Sequence, residues 1–398
     1  MILLDEANRC LLCKNPRCQA NCPINTPIPE IIALYKEGKL NKAGEILFNN
    51  NPLSVICSIV CPHESQCAGN CIRGIKQEPV KFYEIEKEIS ERYLEQVKLQ
   101  NLPKNKDRIA IIGGGPAGLT IAFILAKRGY KITIFDAHER IGGVLRYGIP
   151  EYRLPNHLID KLEDKLIELG VMIRPNTLIG PVISIDRLFD EDYKSIFIGT
   201  GVWNPKTLNI KGETLGNVHF AIDYLKSPET FRLGNRVAII GAGNVAMDAA
   251  RTAKRNGASE VTVIYRGDFE NMSATKKEIE EAREDGIIFK ICRSPIEIFE
   301  NGIKLRNTET EEGKEEFFEC NSTIIAVSQS PRTNIVSNTT KLETNKAGLI
   351  IADEKGNTTR AGVFSSGDVV TGARTVVEAV AYAKNVADAI EEYCNSYK

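Results

Sequence analysis

Apolar residues fall along this chain in two rhythms. Through 28–48 they recur at helical spacing, as Ile31, Ile32, Leu34 and Tyr35 and then Leu40, Ile46 and Leu47. A second helical pattern runs from about 80 to 97. Beyond residue 105 the rhythm changes to short unbroken apolar runs. Residues 108–112 and 131–135 are such runs, and an apolar helix reaching about Lys127 lies between them. The same order returns at 236–240, a helix through Arg251, and 261–265. Strands that are apolar throughout belong to sheets covered on both faces, so parallel, helix-flanked sheets are predicted. Two more runs, 196–201 and 362–368, end in glycine, and a last helix is expected from about Thr375 to Ile390.

The joint between strand and helix is informative in both repeats. The first reads Gly113-Gly114-Gly115-Pro116-Ala117-Gly118, and Asp136 closes the next strand 23 residues after the first glycine. This is G-x-G-x-x-G in its strand–turn–helix setting. The glycines make the tight turn, admit a pyrophosphate to the backbone and let the helix pack on the strand, while the acid accepts ribose hydroxyls. The second joint reads Gly241-Ala242-Gly243-Asn244-Val245-Ala246, and Arg266 stands where Asp136 stands in the first. A carboxylate there suits a free 2′-hydroxyl, and an arginine suits a 2′-phosphate. The first site therefore reads as an FAD site and the second as a nicotinamide site. Gly267 gives Arg266 no second cation, so NADPH and NADH both stay open.

Eight of the 11 cysteines fall between Cys10 and Cys71. Their spacing is Cys10-x2-Cys13-x4-Cys18-x3-Cys22-Pro23 and Cys57-x3-Cys61-Pro62-x4-Cys67-x3-Cys71, with His63 the only nearby histidine. Structural zinc sites join two close pairs across a longer gap, often with histidine. Close thiols on tight loops suit the soft iron of [4Fe–4S] clusters instead. Cys292, Cys320 and Cys394 are scattered and read as ordinary thiols. The acidic stretch 278–285 and the polar stretch 309–319 read as solvated surface.

Composition narrows the class further. With 42% hydrophobic and 26% charged residues the chain is globular, and its net charge of −1 gives no general attraction to nucleic acid or anionic lipid. No apolar run approaches the ~20 residues of a membrane span, and Asp5 and Glu6 cut short the opening Ile2-Leu3-Leu4. A cytoplasmic location is expected.

Two dinucleotide folds, one apparently inserted into the other, resemble the flavoprotein disulfide-reductase-like architecture. The cysteine pattern narrows the resemblance to the small (beta) subunit of NADPH-dependent glutamate synthase and the NAD(P)H-oxidising subunit of bacterial dihydropyrimidine dehydrogenase. It covers essentially the whole chain. Its motifs include Arg9-Cys10-Leu11-Leu12-Cys13, Gly142-Gly143, the run from Arg146 to Pro155, and the run from Asn244 to Arg251. The fold class implied is α/β: two Rossmann-like dinucleotide-binding domains, the NAD(P) domain inserted in the FAD domain, after a small α-helical iron–sulfur domain. The expected boundaries are 1–104 for the helical domain with two [4Fe–4S] clusters, 105–215 and 329–398 for the FAD domain, and 216–328 for the NAD(P) domain.

The resemblance also implies roles. Gly113, Gly115, Pro116, Ala117 and Gly118 would hold the FAD pyrophosphate, Asp136 its ribose, and Asp368 its ribityl–phosphate side. Gly143, Arg146, Gly201 and Gly367 are further cofactor positions, and the Thr375-Val376 helix start would lie under the isoalloxazine ring. Gly241, Gly243, Asn244, Val245 and Arg266 would hold the nicotinamide dinucleotide. By the family template Cys10, Cys13, Cys18 and Glu86 bind one cluster and Cys22, Cys61, Cys67 and Cys71 the other, leaving Cys57 spare. From spacing alone Cys57 is an equal candidate.

The resulting expectation is an electron-input oxidoreductase that oxidises NAD(P)H at FAD and feeds a larger FMN-containing catalytic subunit. The alternatives are a stand-alone NAD(P)H:ferredoxin or diaphorase-like oxidoreductase and a zinc-stabilised, nucleotide-binding redox sensor.

Overall fold

Gly38, at φ +73°, breaks the apolar pattern of 28–48 into two helices, Ile28–Lys36 and Leu40–Asn50. Helices Ser54–Val60 and Phe82–Gln96 follow, and Ile31, Ile32, Tyr35, Leu47, Ile85 and Ile89 meet in one small core. The computed structural model describes residues 3–100, 103–309 and 313–396. Among these no helix is long and apolar enough to cross a membrane.

The chain divides into two units, one of Met1–Leu145, Tyr152–Val202 and Pro331–Lys398, the other of Arg146–Glu151 and Trp203–Ser330. Besides the helical module, the first unit holds a five-stranded sheet in the order 363–365, 193–198, 108–112, 131–135, 172–174. Every neighbouring pair is parallel. Helix Pro116–Lys127 packs against the long C-terminal helix Val376–Ser396.

The second unit holds a parallel sheet in the order 218–220, 322–325, 236–240, 260–264, 288–290. Its outermost strands in sequence, Asn204–Pro205 and Gln329–Ser330, pair as a short antiparallel ribbon. The longer segment of this unit runs from Trp203 to Ser330, against the 216–328 expected for an inserted domain.

Two stretches read as solvated surface are structured. Strand Glu315–Glu319 closes an antiparallel sheet with Arg293–Phe299 and Gly302–Asn307, because its alternate positions turn Phe318 onto the core of Ile298 and Ile303. Residues 310–312 of that stretch lie outside the described chain. Residues 276–284 form a helix on which Glu278 is buried. Arg251, itself buried, draws Glu281 to 2.5 Å and Asp285 to 2.8 Å, since a guanidinium taken from water needs anions.

Within the first unit Phe48 joins the helical module to the sheet. It is 3% exposed, with its ring 5.4 Å edge-on from Phe123 and 5.8 Å from Tyr93. Truncating a buried phenylalanine costs about 3–5 kcal/mol. Phe48→Ala is expected to lower the urea midpoint of the anaerobically purified protein by a corresponding amount, and an unchanged midpoint would deny the contact its structural role.

Candidate functional site

Strand 108–112 passes into helix Pro116–Lys127 with Gly115 as N-cap and Pro116 in the first turn. A Cβ on Gly118 would lie 2.0 Å from the Gly113 carbonyl oxygen, so only glycine permits this approach of helix to turn. Gly143, at φ +53°, lies against Gly115, where a Cβ would fall 2.8 Å from the Gly115 Cα. Bare backbone on both sides forms a cradle that a side chain would fill, and the helix N-terminus aims N–H groups at an anion. Asp136 is buried, and its Oδ2 accepts the Gly114 N–H at 2.7 Å. Its Oδ1 accepts the His138 backbone N–H at 2.8 Å and lies 3.0 Å from His138 Nδ1. The carboxylate is thus oriented in advance, and each oxygen keeps acceptor capacity for a ribose hydroxyl.

Gly367 closes on the same turn: a Cβ there would meet the Ala117 Cβ at 3.3 Å. Burial pushes the Asp368 carboxyl up to about 6, against the opposing effect of the Arg374 N–H, which it accepts at 3.2 Å. Ser366 Oγ is buried and has no hydrogen-bond partner, an orphan that a bound polar ligand would satisfy. Thr375 and Glu378 form a capping box at the start of the 21-residue helix. Thr375 Oγ1 donates to Glu378 Oε2 at 2.6 Å, and the Thr375 N–H donates to the same oxygen at 3.1 Å. These groups fit a dinucleotide with a polar ribityl arm, as FAD has. Gly201, at φ +68°, follows Gly199 and Thr200, which pack on Gly113.

In the second unit Gly241 takes φ +133° and Gly243 caps helix Asn244–Arg255. Asn244 Oδ1 accepts the Thr275 N–H at 3.0 Å, so this side chain fastens the neighbouring loop to the helix start. Val245 packs on the core, and Arg266 stands exposed just past strand Glu260–Ile264. Arg146 belongs to this unit.

The cysteines of the helical module lie in overlapping electrostatic neighbourhoods. Cys10 and Cys18 both face Cys71, with Cys13 in the same electrostatic reach. Cys67 faces Glu86 and Cys22, and Cys61 faces Cys57, Glu86 and Cys67. These neighbourhoods put Cys71 among Cys10, Cys13 and Cys18, and Glu86 beside Cys61 and Cys67, while Cys67 also lies within electrostatic range of Cys18 and Cys22. Local bonds accompany these placements. Arg73, two residues after Cys71, donates from Nε to the Arg9 carbonyl at 2.8 Å, which draws Cys71 to the N-terminal loop. Glu86 lies on helix Phe82–Gln96, packed against the helix that carries Cys57 and joined to it by Ser54 Oγ and Ser90 Oγ at 2.9 Å.

Burial pushes the Cys18 thiol up to about 11 and the Cys67 thiol up to about 12. Cys61 lies well above the ordinary thiol range through its hydrogen bond with Cys57 and through burial. The Glu86 carboxyl is raised well above its usual range by burial and by Cys57. Groups this reluctant to ionise alone become thiolates when a metal cation supplies the missing positive charge, so the donor set fits iron. Among the described residues no three His, Cys, Asp or Glu side chains converge tightly enough for a single ion. A cuboidal cluster takes one ligand at each of its irons.

Sequence reading missed four contributors. His138 sets Asp136, Ser366 and Arg374 flank Asp368, and the Lys384 ammonium donates to Asn50 O and Oδ1, both at 2.8 Å, within electrostatic range of Cys22. The Asp136–His138 spacing of two was a readable local signal. Lys384 had none, because only the tertiary fold brings it near Cys22.

Comparison with known proteins bears on the same residues. The family description "Pyridine nucleotide-disulphide oxidoreductase" matches residues 183–383. Dihydropyrimidine dehydrogenase domain II, 4Fe-4S cluster, matches 2–98, and an NAD(P)-binding Rossmann-like domain matches 111–161. The chain is 31% identical to the glutamate synthase [NADPH] small chain of Escherichia coli (strain K12), over 97% of this chain and 90% of that one. It is 30% identical to the NAD-dependent dihydropyrimidine dehydrogenase subunit PreT of Salmonella typhimurium, over 99% of this chain and 94% of that one. The crystal structure of T. acidophilum thioredoxin reductase matches with a TM-score of 0.59 at 23% identity, over 74% of this chain and all of that one, which shows the fold. The chain belongs to the pyridine nucleotide-disulphide oxidoreductase family, as a flavoprotein oxidoreductase that uses NAD(P)H and carries an N-terminal 4Fe-4S domain.

Proposed function

We propose that the chain is an electron-input unit, which takes electrons from NAD(P)H and delivers them to a partner catalytic subunit of the glutamate synthase or dihydropyrimidine dehydrogenase type, carrying FMN. The observation behind this reading is the presence, in one compact unit, of a flavin-type cradle and two groups of soft ligands. Likeness along nearly the full length to a glutamate synthase small chain and to PreT supports it. Neither nucleotide turn has a Cys-x-x-Cys pair beside it in sequence, so a dithiol relay lacks its motif. Thiolate ligands fit a reducing cytoplasm.

FAD, when bound, supplies the exchange between paired and single electrons that a nicotinamide lacks. Gly113, Gly115 and Gly118 offer backbone to its pyrophosphate, and Asp136, held by Gly114 and His138, receives ribose hydroxyls. The Thr375–Glu378 box fixes a helix start whose dipole favours nearby negative charge by up to about 2 kcal/mol. Cys10, Cys13, Cys18 and Cys71 hold one [4Fe–4S] cluster, and Cys22, Cys61, Cys67 and Glu86 hold the other. Arg266 favours NADPH by one charge-assisted hydrogen bond, worth about 1.5–3 kcal/mol.

Anaerobic affinity purification of the tagged protein from its host is expected to retain a large FMN-bearing protein. Recovery of this chain alone, still reducing a small acceptor with NAD(P)H, would favour a stand-alone reductase. Iron and acid-labile sulfide counts test the ligand sets: Cys57→Ser should keep about eight irons and Glu86→Ala about four. Eight irons in the glutamate variant would move ligation to Cys57.

Asp368 gives a pH test with a definite sign. Its carboxyl is raised from 3.8 to about 6, so the folded state is penalised above pH 6 by about 3 kcal/mol and not at all near pH 4. Asp368→Asn should therefore stabilise the FAD-free protein at about pH 7.5, with the gain in urea midpoint fading as pH falls through 6. A pH-independent difference would place the penalty elsewhere.

A further inference from the structure

Exposed large apolar side chains are scattered singly over most of this surface, but four of them flank the first group of cysteines. Leu11 and Leu12, between Cys10 and Cys13, are 53% and 41% exposed. Ile72, next to Cys71, is 39% exposed, and Ile75, on the same 3-10 turn Ile72–Ile75, is 66% exposed. The two segments are adjoining parts of one surface. Cys10 and Cys71 pack on the same core, Arg73 Nε donates to the Arg9 carbonyl at 2.8 Å, and Arg9 Nη1 reaches the Pro79 carbonyl at 3.3 Å. Leu12 holds φ +47°, a left-handed setting that a branched residue adopts only when its surroundings impose it.

The rim of this surface is basic. Lys14 and Arg17 follow Cys13, Lys76 follows Ile75, and all three are exposed. Lys36 is exposed as well and lies in electrostatic range of Cys10. Of the acids on these segments, Glu6 is committed to Arg9 at 2.8 Å and Glu37 to Lys39 at 2.7 Å, while Asp5 and Glu78 are exposed. Exposed apolar groups gathered on two bonded segments with a charged rim mark an interaction surface, and the sign of the rim selects the partner.

We propose that Leu11, Leu12, Ile72 and Ile75, rimmed by Lys14 and Lys76, form the docking face for the electron-accepting protein, whose own face is acidic around an apolar centre. The proposal rests on the reading that Cys10, Cys13, Cys18 and Cys71 hold a cluster, and it makes this the surface where electrons leave. Oxidation of one NAD(P)H to NAD(P)+ releases one proton and two electrons, so two molecules of a one-electron acceptor are reduced per turnover. The rate of encounter with a partner of opposite charge is set by the charge of this rim and falls with salt.

The test uses the anaerobic holoprotein, reduced with NAD(P)H and mixed in a stopped-flow instrument with two c-type cytochromes of matched high potential, one acidic and one basic. The acidic cytochrome should be reduced at least tenfold faster at low ionic strength, and salt should remove the advantage. Ile75→Glu and the double variant Lys14→Glu/Lys76→Glu should each cut that rate at least tenfold while iron content and NAD(P)H-driven reduction of a small neutral quinone stay unchanged. Equal or faster reduction of the basic cytochrome overturns the proposal, as do wild-type rates in variants with full iron. A wild-type protein without cluster iron would overturn the cluster reading itself, and the docking face with it.

Discussion

Electrons pass between carriers only at short, fixed separations, and in this chain that demand falls on the seam between the helical cysteine module and the first nucleotide sheet. The seam is partly aromatic, through Phe48 against Phe123, and partly built from lysines. Lys384 donates to Asn50, Lys127 to Asn49 at 2.5 Å, and Lys165 to the Val97 carbonyl at 2.7 Å. Burial pulls the Lys127 and Lys384 ammonium groups below their ordinary range, so each holds its proton at a cost. Ammonium groups in such positions are tolerated only with their partners in place. A purely apolar seam could slide, whereas these contacts define one register.

The two nucleotide sheets reach similar turns with different electrostatics. In the first, Asp136 is buried and already accepts bonds from Gly114 and His138, so its ligand meets a preset acceptor. In the second, Arg266 stands in the open, with its carbonyl accepting from Thr308 Oγ1 at 2.7 Å. A buried acceptor favours a resident cofactor and an exposed cation favours a ligand that comes and goes, which is the division a hydride donor and a flavin require.

Much of this was legible in the sequence. The glycine turns, Asp136, the helical patterns over 28–48 and 80–97 and the last helix follow from spacing and periodicity, which are local properties; the break at Gly38 and the helix Ser54–Val60 did not show. What failed to show was tertiary. Glu315–Glu319 looks polar because a strand with one solvated face carries charge on alternate residues, and Glu278 looks exposed until Arg251 is known to lie beneath it. The nearness of Cys71 to Cys10 and of Glu86 to Cys57 does not show in spacing, because Arg73 on Arg9 and Ser54 on Ser90 bring their segments together, and both bonds cross long sequence intervals.

The proposed ligand sets bear on how the module folds. Each such set would span both ends of the module, Cys10 to Cys71 and Cys22 to Glu86, and would close a loop of roughly sixty residues, an entropic cost that grows only slowly with length. In a metal-dependent finger that cost is met by the metal, and the apo chain is unfolded. Here protein bonds close the same loops. Arg73 reaches Arg9, Arg9 reaches the carbonyls of Glu78 and Pro79, and the Lys81 N–H donates to Glu6 at 2.7 Å. The Phe82–Gln96 helix then fixes Glu86 through its packing on Ser54–Val60. Packing and hydrogen bonds thus act on the same loops that cluster ligation would close, so the two contributions add in ordering the module.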